Sequence, residues 1–306
     1  MIFMHILITG GTGFIGLAAA KTLREHGHTV RLLSSTRLEK DYAGFEVVRG
    51  DVRHEGGLTE AVTGIDAVVI AHQFPGFPIE QPEKQNTFHA VDAEGTRHVV
   101  SALKAHGQPK RIIYLSGAAV REGLAGQHPG IDAKLEAERW VETSGIPWVI
   151  LRASIVYGSG DHYFSKLAQM IETGPVVPVF GDGRALSAPI HVDDLAAAIT
   201  ASLEDPRAEN ALLDACGPNT LTTNAVLDLL MAALGQRRRI VHLPVGVINA
   251  VAGVLELLPE PPLTRGLVAF SLFDNSSHGV NADTALGLTF RSVDAGIREV
   301  YRKAKP

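Results

Sequence analysis

Cysteine is almost missing from these 306 residues: Cys216 stands alone. One cysteine closes no intrachain disulfide and builds no cysteine-based zinc site. Following an apolar strand-like segment, it reads as a small core residue. The thirteen histidines show no pair at metal-ligand spacing with a carboxylate between, so no metal is expected. Positive charge is also short, with 28 Lys and Arg against 33 Asp and Glu and a net charge of -5. A phosphate-binding surface needs the opposite balance, which argues against a nucleic-acid partner. The run Arg237-Arg238-Arg239 is brief and reads as a solvated entry to the strand-like 240–243.

No apolar run is long enough for a bilayer. The longest, 245–258, is interrupted by Asn249 and Glu256. It reads as a buried cap helix over a substrate cleft, or as a hydrophobic surface meeting a quinone, a lipid or a protein partner. Met1 leads straight into a strand pattern without a basic region or a small-residue cleavage site, so a cytoplasmic location is expected.

What is present is alternation. Short apolar runs at 5–9, 29–33, 46–49, 67–71, 111–115 and 148–151 read as parallel strands buried on both faces. Helical patterns lie between them at 14–26, 58–62, 84–106 and 129–144. Gly27 and Gly107 are placed as left-handed caps, and Gly145 with Pro147 ends the fourth helix. Such alternation predicts an α/β fold, a Rossmann-type doubly wound parallel sheet. A helix at 192–203 and a strand at 211–214 return to that sheet, and 222–281 reads as helical. The expected division is a dinucleotide-binding domain over 1–160, joined by 190–216, and a small, mainly helical cap from 161–189 and 217–306.

Between the first strand and the first helix runs Gly10-Gly11-Thr12-Gly13-Phe14-Ile15-Gly16. Glycine suits a turn with positive φ and a backbone that must approach a pyrophosphate, and Gly16 allows close helix–strand packing. The free N–H groups of the helix start then face phosphate oxygens. The second strand ends in Ser34-Ser35-Thr36-Arg37. An NAD site usually carries Asp or Glu there for the ribose 2′-hydroxyl; hydroxyls and an arginine suit a 2′-phosphate instead. NADP(H) is therefore expected over NAD(H), with Glu39 nearby as the opposing residue.

These motifs resemble the short-chain dehydrogenase/reductase superfamily, in its extended or atypical branch, over nearly the whole chain. By that resemblance, Gly50-Asp51-Val52 is the adenine-side turn and Ala71-His72 passes the phosphates. Asp92 stands where the superfamily usually has Asn, Ser116 is the substrate-side serine, and Ser154 lies in the loop over the nicotinamide. The C-terminal segments 258–265 and 273–275 are similar to the subgroup of the nucleotide-binding accessory subunit of respiratory complex I, with NmrA-like proteins as neighbours.

The resemblance also implies a Tyr-x-x-x-Lys pair, one helical turn apart on one face. The lysine holds the nicotinamide ribose and the tyrosine passes a proton. Lys134 fits the lysine, but Gly130 stands at the tyrosine position. Three readings follow: a dinucleotide-binding sensor or accessory protein without turnover, an oxidoreductase or epimerase-like enzyme whose acid is relocated to His128, Asp132 or Tyr163, or chemistry that needs no tyrosine. The substrate would be a small molecule of unspecified class, and a protein partner or a homodimer is the further expectation.

Overall fold

The computed structural model describes residues 3–35, 42, 44–107, 109–259 and 261–302. Its centre is a seven-stranded, all-parallel sheet. Five strands are β1 (His5–Thr9), β2 (Thr29–Ser34), β3 (Glu46–Arg49), β4 (Ala67–Ile70) and β5 (Arg111–Gly117). β6 is Trp148–Ala153, and after the short β7 (Val156–Tyr157), β8 (Val176–Phe180), β9 (Leu186–Ser187) and β10 (Ile190–His191) comes β11 (Ala211–Ala215). The spatial order is 3-2-1-4-5-6-11. It reverses direction at β1, and the crevice at the strand carboxyl ends there is where such folds bind ligands.

Period-2 alternation builds two cores. Ile6 and Ile8 point to the face covered by α1 (Phe14–Glu25) and α6 (Val192–Glu204), where Ala19, Leu23, Leu195 and Ile199 meet them. Leu7, Ile112 and Tyr114 point to the other face, under α2 (Leu58–Val62), α3 (Glu94–His106) and α4 (Pro129–Glu142). Both faces are covered, which is why these strands read as continuous apolar runs rather than alternating ones. Cys216 is fully buried against Ala118 and Ala188.

A third core joins α5 (Tyr163–Thr173), α7 (Thr223–Leu234) and β8 to the terminal helix α11 (Val293–Tyr301), after the short β12 (Leu221–Thr222). β13 (Arg239–Leu243) pairs in parallel with β8, so the segments expected to form the cap carry strands as well as helices. α10 (Ala282–Leu286) turns back, and its Ala282 and Leu286 lie in the α1/α6 core.

Three local expectations need correction. The segment 84–106 is not one helix. A 3-10 turn at Pro82–Lys84 ends in Gln85 at φ 51, and a π-helical turn at His89–Ala93 precedes α3. The wide turn carries Asp92 at its inner face, and such insertions cluster at functional sites. Gly107 is no left-handed cap: its φ is -114 and the chain leaves α3 extended toward Pro109. Finally, α8 (Val245–Leu255) buries only Ile248 and Ala252, while Val247, Val251 and Val254 are exposed. Its outer face is apolar surface, packed on one side by α9 (Arg265–Leu272).

Candidate functional site

The glycine turn sits at the carboxyl end of β1. Gly10 has φ 66, and a Cβ on it would stand 2.9 Å from the Ala71 carbonyl oxygen and from the His72 backbone. A Cβ on Gly16 would collide with the Gly10 carbonyl. Gly13 N–H donates to the Gly10 oxygen at 3.0 Å, and the first ladder bond of α1 runs from Leu17 N–H to the Gly13 oxygen at 2.9 Å. The N–H groups of Phe14, Ile15 and Gly16 therefore have no protein acceptor among the described residues. No acidic side chain stands in the first turn of α1 to repel an anion. The cradle fits a pyrophosphate.

Thr12 Oγ1 lies 3.3 Å from Ser34 Oγ, tying the turn to the end of β2. Ser34 is buried and Ser35 exposed just beyond it. Arg37 and Glu39 lie outside the described residues. Asp51 is bound by Arg53, whose Nη2 donates to Oδ2 at 2.5 Å, and this pairing holds its carboxyl below the usual range. Val52 is buried, and its carbonyl accepts from His98 Nδ1 at 2.8 Å. Ala71 N–H continues the sheet to the Thr9 oxygen at 3.2 Å. His72 Nδ1 lies 2.8 Å from Thr9 Oγ1, beneath the glycine turn, and burial lowers its pKa to about 3. Ser154 spends its hydroxyl within the fold: it donates to the Asn275 oxygen at 2.6 Å and accepts from Ala188 N–H at 3.1 Å.

On the α4 face of β5, Lys134 is largely buried. Its Nζ lies 3.2 Å from Asp92 Oδ1 and 3.5 Å from the Leu115 carbonyl oxygen. Asp92 is 1% exposed, and its other oxygen accepts from Phe74 N–H at 3.0 Å. Burial opposes the ammonium charge, but the oxygen of Tyr114, Asp92 and Glu138 outweigh it and hold Lys134 above the ordinary lysine range. Ser116 Oγ and Tyr114 Oη are buried on the same face without hydrogen-bond partners among the described residues. Glu138, one turn beyond Lys134, is paired to Arg152 at 2.6 Å, and Arg152 is the neighbour of Ser116 across β5 and β6. Sequence reasoning passed over this second buried pair, because Glu138 reads as an ordinary helix-surface acid.

Position 130, where the resemblance leads one to expect a tyrosine, is crowded by other side chains. A Cβ on Gly130 would meet Phe88 Cε1 at 2.9 Å and His128 Nδ1 at 3.1 Å. His128 caps α4, its Nδ1 accepting from Gly130 N–H at 3.0 Å, and it is 4% exposed. Burial lowers its pKa, against the opposing charges of Glu80 and Asp132. Asp132 Oδ1 accepts from Gly126 N–H at 2.7 Å, so it is held at the same helix start. Tyr163 stands apart at the start of α5, 45% exposed and edge-on to Phe164. Phe88 and its neighbours carried no motif that could have flagged them.

No metal-ligand spacing stands in the sequence, yet the π turn brings His89, Glu94 and Glu136 together with ligand atoms within 4.8 Å of one another. Arg97 already claims Glu94 at 2.8 Å and His89 pairs with Glu136 at 3.4 Å, so the group is satisfied as surface ion pairs. No helix among the described residues is long and apolar enough to cross a membrane.

Comparison with known proteins gives the family. The chain is 28% identical over 297 residues to a 2-alkyl-3-oxoalkanoate reductase of Stenotrophomonas maltophilia, covering 86% of this chain and 88% of that one. It is 26% identical to an isoflavone reductase homologue of Zea mays, covering 86% and 83%. The fold superimposes on MoeE5, solved with UDP-glucuronic acid and NAD, with a TM-score of 0.77 at 22% identity over 97% of each chain. Residues 6–212, more than half of the chain, match the NAD dependent epimerase/dehydratase family. The chain belongs to that family.

Proposed function

We propose that the protein is an NADPH-dependent reductase of small carbonyl or conjugated compounds, working without the tyrosine of its superfamily. The observation that carries this reading is the Lys134–Asp92 pair. The lysine is kept, buried and cationic at 3.2 Å from its partner, although position 130 has lost its side chain. A buried ion pair is costly to maintain and persists where a charge is needed. Relatives named as a 2-alkyl-3-oxoalkanoate reductase and an isoflavone reductase homologue point to reduction rather than sugar epimerisation.

The first-turn N–H groups of α1 and Thr12 would hold the pyrophosphate. Ser34, Ser35 and Arg37 would take a 2′-phosphate, with Asp51 and Val52 on the adenine side. The Ala71-His72 backbone would pass the phosphates. Lys134 would meet the nicotinamide ribose, and Ser154 would shape the loop above it through its bonds to 188 and 275. When bound, the reduced dinucleotide supplies a hydride. Lys134 brings positive charge to the same space, and Ser116 Oγ offers a buried hydroxyl that has no hydrogen-bond partner among the described residues.

A second reading is a dinucleotide-dependent sensor or accessory protein acting on a partner, in line with the resemblance of 258–265 to the complex I accessory subgroup. The ring of Phe88 beside Gly130 favours it, since it crowds out a side chain from residue 130 itself. The experiment is NADPH oxidation against aryl and aliphatic ketones, 3-oxo acids, quinones and nucleotide sugars. A reductase consumes NADPH with a ketone or 3-oxo acid and loses that activity in Lys134→Ala. Stoichiometric binding without oxidation of any compound supports the sensor. Tighter binding of NADH than NADPH in a fluorescence titration overturns the cofactor preference.

A further inference from the structure

His128 is surrounded by rings. Phe77 and Phe88, between β4 and α3, have centroids 6.5 and 5.4 Å from the imidazole; Phe270 and Phe273, from the cap, lie at 5.5 and 6.2 Å. The four rings and the imidazole bring together carbon surface and one polar hydrogen, and none of the five carries a fixed charge. The position of that hydrogen follows from the cap. Because Nδ1 accepts the Gly130 N–H, it carries the lone pair, and the neutral ring has its proton on Nε2. No described residue accepts from Nε2. Nε2 is not among the fully enclosed polar atoms without a partner, so its hydrogen stays within reach of a molecule from outside.

Gly266 marks the open side. It lies in α9 and is not among the glycines with positive φ, so the backbone does not require glycine there. Alanine would suit a helix better. A Cβ at 266 would stand 3.7 Å from His128 Nε2 and 3.7 Å from Thr264 Oγ1. Glycine leaves the approach to Nε2 clear. Over this region Phe77 and Phe270 meet with centroids 5.2 Å apart, each 39% exposed, one from the sheet domain and one from the cap. They are the rim of the enclosure, and rotation of either ring widens it.

We propose that this cage is the substrate subsite, and that it takes a flat, uncharged aromatic or conjugated molecule whose carbonyl oxygen accepts from His128 Nε2. This deepens the reductase reading and rests on it for the identity of the ligand as a substrate. Aromatic faces against four rings supply the contact area, and the single donor fixes which way round the molecule lies. A sugar or a phosphate would be stripped of water there against carbon, with one hydrogen bond in return. The carboxylates nearest to His128 do not invite a cation either: Glu80 accepts from Phe88 N–H at 2.8 Å and Asp132 from Gly126 N–H.

The test measures binding of 2-acetonaphthone and of naphthalene to the full-length protein saturated with NADP+, by calorimetry. The wild type is expected to favour the ketone by about tenfold, the discrimination of one hydrogen bond to a buried donor. His128→Asn keeps a good cap for α4 and removes the Nε2 hydrogen. It is expected to erase the preference while leaving the NADP+ affinity unchanged, with a lower melting temperature from the ring contacts it gives up. Gly266→Val, which fills the approach and leaves the His128 side chain in place, is expected to weaken both compounds, and it stands in if the first variant does not fold. The proposal is overturned if the ketone and naphthalene bind alike, if neither binds, or if His128→Asn keeps the preference. Ketone binding that depends on His128 without NADPH oxidation sinks the reductase reading and leaves the subsite standing. Oxidation with other carbonyls and no binding of the naphthyl ketone does the reverse.

Discussion

The Phe88 ring edge lies where the side chain of residue 130 would begin: a Cβ on Gly130 would be 2.9 Å from Phe88 Cε1. Phe88 itself packs against Phe74, tilted 56° at a centroid distance of 4.5 Å, which limits its retreat. Restoring a tyrosine at 130 therefore overpacks the site. Gly130→Tyr is expected to destabilise the protein by about 1–3 kcal/mol. In Phe88→Ala the same tyrosine enters the vacated space, so the two changes together cost less than their sum by about 1–3 kcal/mol. Urea unfolding of the four proteins in the cycle measures this coupling; additive costs would show that Phe88 does not fill the site.

Lys134 and Asp92 stabilise one another unequally. Asp92 is almost wholly enclosed, with Phe74 N–H as its remaining donor. Removing the ammonium strands a buried carboxylate. Lys134→Met is expected to cost about 3–5 kcal/mol, and adding Asp92→Asn should recover most of it, because the neutral amide no longer needs a counter-charge. The double variant then folds like the wild type while binding NADPH more weakly. Denaturant midpoints and a dinucleotide titration separate the two effects; equal instability of single and double variants would rule out the pairing as the cause.

His72 makes stability depend on pH. Burial first, and the Lys134 charge second, lower its pKa from 6.5 to about 3. Between those values the unfolded chain binds a proton that the folded chain refuses. Stability therefore falls as pH drops below about 6.5, by up to about 1.4 kcal/mol per pH unit for one proton. Above 6.5 both states are neutral and this contribution is constant. His72→Gln should show a shallower loss between pH 6 and 4 than the wild type, although both lose stability from carboxylate protonation. Parallel unfolding curves across that range would refute the assignment.

Legibility in the sequence followed the range of the interactions. β1, β3 and α2 keep the bounds read from the sequence, because a buried parallel strand is a local apolar run and the glycine turn is written in consecutive residues. Lys134 was singled out only because the chain resembles a superfamily that carries a lysine there. Its partner Asp92 was readable only as a departure from a family pattern, since the π turn that delivers it is set by packing between α3 and α4. The aromatic enclosure of His128 was not legible. Phe77, Phe88, Phe270 and Phe273 come from segments nearly two hundred positions apart, each an ordinary apolar residue in its own neighbourhood.

The outer face of α8 gives the last prediction. Its sequence is apolar but for Asn249, which left both burial and an exposed apolar face open, and Val247 and Val254 are 62% and 67% exposed while Ile248 is 9% exposed. Solvated valines contribute little to folding, and a lysine stem can lie along such a surface with its charge in water. Val247→Lys and Val254→Lys are each expected to change stability by less than about 0.5 kcal/mol. Ile248→Ala, one residue along the same helix, removes core contacts and should cost about 2–5 kcal/mol. Urea midpoints for the three variants decide the matter. A large loss from either valine change would mean that the face is covered in the folded protein in solution.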